Sequence, residues 1–149
     1  MKRSLTLLIA TALSLGIAVS ALALPPIPAQ VAEHYAKDPN GAKITETLKM
    51  QKGKCSMCHI PEADKKAKGH GLNDFGRAMH DHLKHKAYLA EHKIAADEKT
   101  APADKEAALA KAMTILVDAL KKASEHKNAE GKVFGDLIKE GTMPGKNTK

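Results

Sequence analysis

The sequence predicts an all-α fold of four or five helices for this 149-residue chain. Apolar residues recur at helical spacing in several separate segments, and no stretch alternates well enough to read as a strand. The breaks between these segments carry turn residues: DPNG at 38–41, Asn128 with Gly131, and GTMPG at 141–145.

The chain opens with Met1-Lys2-Arg3, an apolar stretch over 4–20, and the small residues of Ala21-Leu22-Ala23. This reads as a secretory signal peptide over residues 1–23, with an uncleaved anchor as the alternative. Cleavage after Ala23 leaves 126 residues and lowers the formal charge from +7 to +5. That length supports one small domain with a modest core. No later apolar run is long enough to cross a bilayer, so the mature protein is expected in the periplasm or another extracytoplasmic space.

Residues 24–42 are expected to form a proline-containing N-terminal arm. Three prolines in LPPIPAQV (24–31) favour an extended chain, with a brief helix through Ala32–Ala36. The domain proper then spans 43–149. Ile44, Leu48, Gln51, Cys55 and Cys58 suggest one helix face, interrupted or weakened at Gly53 and ended by Pro61. Residues 62–72 read as a hydrated loop. Asn73 is placed to cap a helix whose face is Phe75, Met79 and either His82 or Leu83. Tyr88, Leu89 and His92 extend that helix or form another, and 95–103 is linker-like. A long helix over about Asp104–Glu125 turns Leu109, Ala112, Met113, Leu116, Leu120 and Ala123 inward. A short one over Lys132–Glu140 carries Val133, Phe134, Leu137 and Ile138.

The stretch KCSMCHI (54–60) holds both cysteines of the chain, three apart, with a histidine directly after the second. A disulfide would imply a thiol redox module, but the predicted helix precedes the pair and no βαβ pattern follows. Zinc needs about four ligands at tetrahedral distances, and His59 adjoins Cys58 too closely for both to serve readily. Haem accounts for every position. Two thiols on one side of a turn can form thioethers to the two vinyl groups, and the next residue, His59, is then directed to the iron. A covalently held macrocycle would also supply apolar core that a chain with only Tyr35, Phe75, Tyr88 and Phe134 as aromatics is short of.

Cys55-Ser56-Met57-Cys58-His59 resembles the attachment motif of c-type cytochromes. Residues 44–59 look like the first helix of a small monohaem member running into its haem site. GHGLNDFGRA (69–78) is similar to the glycine-rich passage that follows the haem-binding histidine. The resemblance covers about 35 residues and implies a class I-like attachment region holding one covalent haem c. The C-terminal part departs from the family. A class I methionine loop is normally followed by a substantial terminal helix, whereas Met143 of Thr142-Met143-Pro144-Gly145 lies six residues from the end.

Met143 resembles the family's distal Met-Pro pair and is the candidate sixth ligand. Met79 is the runner-up, with Met113 expected in the core and Met57 confined to the attachment turn. The local histidines His70, His80, His82, His85 and His92 would make the iron bis-His if one of them ligated it. A Met thioether raises the potential relative to a second His, and an empty position leaves iron open to small ligands.

The expected function is single-electron transfer by a carrier rather than an enzyme. Its rivals are a small-ligand sensor with an open distal side and a haem subunit docked in a larger redox complex. Residues 43–68 hold seven lysines against three carboxylates, a charge excess suited to redox partners with acidic docking faces. Export and sparse aromatics argue against nucleic acid.

Overall fold

The computed structural model describes residues 27–50, 54–60 and 71–145, apart from the side chains of Met50 and Lys54. The signal segment, Gly53, Pro61 and the loop with His70 lie outside the described residues. Those described are all-α, without a named strand. Six helices run in the order α1 Ile27–Lys37, α2 Ala42–Met50, α3 Asp74–His82, α4 His85–Ala96, α5 Pro102–Ser124 and α6 Phe134–Glu140. Two 3-10 turns, Pro39–Gly41 and Lys54–Met57, lead into and follow α2. None of the described helices is long and apolar enough to cross a membrane.

Six helices replace the expected four or five for two reasons. The stretch expected as an extended arm is helical from Ile27. Pro28 is only its second residue, where the backbone N–H has no intrahelical partner to lose. Val31 and Tyr35 of α1 are buried in the common core, so the segment is part of the packed body. The second extra helix arises at Leu83, whose extended backbone separates α3 from α4 while its N–H still bonds to the Met79 carbonyl. Leu83, not His82, completes the buried face with Phe75 and Met79.

The helix expected from Lys43, interrupted or weakened at Gly53, is described as α2 over Ala42–Met50, and the segment at Cys55 is the 3-10 turn Lys54–Met57. On α5 the inward stripe is Ala108, Ala112, Leu116, Ala119, Leu120 and Ala123, and Leu109 is 44% exposed. Alanines at four of these six positions let α3 and α4 lie close against α5. The core is continuous in side chains alone. Phe75 meets Phe134 edge to face at 5.3 Å between ring centres, among Ile44, Leu48, Met57, Leu116 and Leu120.

His34, His85 and His92 are each held below the ordinary histidine value. Burial is the first cause at all three. At His34, Asp38 opposes the shift and Lys121 adds to it; at His85, His80 adds to it. A lowered folded value means that the unfolded chain binds more protons just below its own value of 6.5. The contribution is thus complete above 6.5 and is lost as pH falls toward the folded values. The melting temperature should fall from pH 7.5 to 5.5, and less steeply in His85→Gln. An unchanged slope in that variant would remove His85 from the account.

Candidate functional site

Four consecutive carbonyls fix the CSMC backbone. The Cys55 carbonyl accepts from the N–H groups of Cys58 (3.1 Å) and His59 (2.9 Å), winding the segment into a tight turn. The Ser56 and Met57 carbonyls accept from the Asn73 side-chain amide, at 3.3 and 3.0 Å. The Cys58 carbonyl accepts from the Asn73 backbone N–H at 2.9 Å. No buried carbonyl in this run is left unpaired, so the turn is a specified conformation.

Asn73 also starts α3. Its Oδ1 accepts from the Gly76 N–H at 2.8 Å, the N-cap bond that the sequence foretold. One buried side chain, 1% exposed, thus caps a helix with its oxygen and holds the cysteine turn with its nitrogen. Gly76 presses directly on the Cys58 carbonyl, where an added Cβ would collide. Beyond the turn, Ile60 donates to the carbonyl of Gly71, which has φ 62°, and His59 pairs with Leu72 in an isolated antiparallel bridge.

The turn sorts its side chains. Met57 is fully buried, Cys58 is half-buried against the core, and Cys55 and His59 are exposed. Both cysteines are free thiols. Burial pushes the Cys58 thiol up to about 12, with Cys55 adding to the shift. A thioether carries no titrating proton and suits this place. Two free thiols on one turn, with the imidazole of His59 adjoining the second, are a set that could hold covalently attached haem. Among the described residues, no three His, Cys, Asp or Glu side chains converge as a metal cluster.

The C-terminal loop is brought to the same frame. Gly141 ends α6 in the left-handed conformation (φ 79°), and its carbonyl accepts from Thr47 Oγ1 of α2 at 2.6 Å. Met143 is half-buried against the core, Pro144 is fully buried, and Gly145 abuts the Asn73 side chain. Met143 is thus two residues from a contact with the asparagine that braces the cysteine turn.

The other candidate ligands have packing or polar partners. Met79 is buried in the core, and Met113 packs against it. His80 lies against His85 at 4.5 Å between ring centres. His82 Nε2 is 2.9 Å from His126 Nε2, and His92 meets Gln30 at 3.4 Å.

Sequence reasoning missed Tyr35. Its phenol is pushed up by burial, against the opposing pull of Ser124, with Cys58 adding in the same sense. Placing α1 outside the domain hid this neighbour of Cys58. Of the lysines expected to steer partners, Lys43 and Lys49 are exposed, and Lys49 pairs with Glu46 at 2.9 Å. Lys52, Lys65, Lys66 and Lys68 lie outside the described residues.

No family model matches the chain, and no curated protein or solved structure is significantly similar to it.

Proposed function

We propose that the mature chain is an exported monohaem c-type cytochrome, periplasmic in location, that passes single electrons between redox proteins. The supporting observation is the arrangement of free Cys55 and Cys58 with His59 on one turn whose carbonyls are secured by Asn73. Haem bound there would supply a one-electron ferrous–ferric couple. Cys55 and Cys58 anchor it, and His59 supplies the proximal nitrogen. Met143, in a loop fastened to Asn73 and α2, would supply a thioether as the second iron ligand. The protein acts as a carrier rather than an enzyme, and its lysine excess favours acidic docking faces.

The test is made on protein matured with a haem-attachment system. Mass spectrometry should find one haem and no thiol open to alkylation after denaturation. The ferric protein should show the weak far-red band of Met–iron ligation, and Met143→Ala should lose it. Two alkylatable thiols without haem would overturn the proposal. A far-red band that survives in Met143→Ala would move the sixth ligand to another methionine.

A further inference from the structure

We infer that His82 and His126 form a surface site for a divalent transition metal of the copper(II) class, joining the end of α3 to the turn after α5. The two residues are 44 apart in sequence, yet their Nε2 atoms lie 2.9 Å from each other, with the rings at 64°. Both backbones are anchored. His82 is the last residue of α3, directly before buried Leu83. The His126 N–H donates to the Ala123 carbonyl at 3.1 Å, and its own carbonyl accepts from Phe134 at 2.9 Å. The intervening loop is closed by Asn128 Oδ1, which accepts from the backbone of Glu130 and Lys132. The side chains themselves reach the surface, His126 exposed and His82 partly so, leaving the imidazoles able to turn.

The separation puts both nitrogens within reach of one ion. Two nitrogens bound at about 2.0–2.1 Å and at right angles lie about 2.9 Å apart, whereas a tetrahedral angle needs about 3.3–3.4 Å. The observed distance is that of a hydrogen bond, and ring rotation alone brings the two nitrogens to adjacent positions of a tetragonal ion without backbone movement, a geometry that copper(II) and nickel(II) favour. The affinity order for first-row ions then places copper(II) first and zinc(II) behind it. As the pair stands, one imidazole donates to the other and both cannot be acceptors. To bind a metal, the donating imidazole shifts its proton to Nδ1 by exchange with water, and both rings swing to aim their Nε2 lone pairs at the ion. No third His, Cys, Asp or Glu among the described residues completes the set, so water takes the remaining positions.

The neighbouring histidines lack this arrangement. His80 and His85 meet through their rings, and His92 Nε2 faces Gln30. The site uses neither cysteine nor His59, so it stands whether or not the cysteine turn carries haem.

The experiment titrates the full mature protein, kept oxidised, with copper(II) against a weak competing chelator and follows the copper EPR signal. The first equivalent should show nitrogen coupling and raise the melting temperature by linkage. His82→Gln and His126→Gln should each weaken that equivalent at least tenfold and abolish the thermal shift. The double variant should cost little more than either single one, and His92→Gln should leave binding unchanged. Circular dichroism of the metal-free variants checks that they fold. Retention of wild-type affinity in either single variant would overturn the site, and tighter binding of zinc(II) than copper(II) would overturn the tetragonal assignment.

Discussion

Replacing Gly76 by alanine is expected to destabilise the protein by about 1–3 kcal/mol, the usual cost of forcing an extra carbon into a packed place. In an exposed helix the same change would stabilise by up to about 1 kcal/mol, because alanine is the better helix former. Here the new Cβ would strike the Cys58 carbonyl oxygen, with the carbonyl carbon at 2.9 Å and Cys58 Cα at 3.1 Å. That oxygen is already committed to the Asn73 N–H. Neither backbone can retreat without lengthening that bond or tilting α3 away from α5. The damage should fall on the cysteine turn first, so under the proposed function the yield of haem-loaded protein should drop with the melting temperature. Chemical unfolding of the purified variant checks the stability, and a change within about 0.5 kcal/mol would show that the contact is readily relieved.

Asn73→Ala should cost about 2–4 kcal/mol. Loss of the cap contributes about 1 kcal/mol. Leaving the buried Met57 carbonyl without its donor contributes about 1–3 kcal/mol more. Asn73→Asp separates the two roles. It keeps an acceptor for the Gly76 N–H but turns a carboxylate oxygen toward the carbonyls of Met57 and Ser56. Aspartate should therefore be at least as damaging as alanine in a denaturant titration. A near-neutral aspartate variant would contradict the donor role of this side chain.

The two functions of Asn73 mark how far the sequence could be read. Its cap was legible because an Asn before an apolar helical repeat is a local pattern. Its hold on the cysteine turn was not, since the bonds span 16 and 17 residues and depend on how two segments meet. The same division applies to the elements. The long α5 was plain from periodicity, but its inward stripe falls on Ala108 rather than Leu109, because packing distance rather than side-chain size chose the face. The break at Leu83 carries neither glycine nor proline. The prolines of the first segment suggested an extended arm, yet a helix accepts proline in its first turn. At the candidate site, the grouping of Cys55, Cys58 and His59 on one turn was legible because it follows from spacing along the chain. The approach of Met143 to their frame was legible only through family resemblance, because Gly141 and Gly145 make contacts distant in sequence.

Those contacts also set an order of assembly. The cysteine turn is closed by Asn73 across 15 residues, from the Cys58 carbonyl to the Asn73 N–H. Gly145 reaches the same asparagine across 72 residues, and loop entropy makes that closure dearer by about 1.4 kcal/mol. A chain delivered from its N-terminus can therefore shape the CSMCH turn before the methionine loop has emerged. The thiols would be presented in near-final form while that side of the fold is still open, and residues 141–145 would close it last.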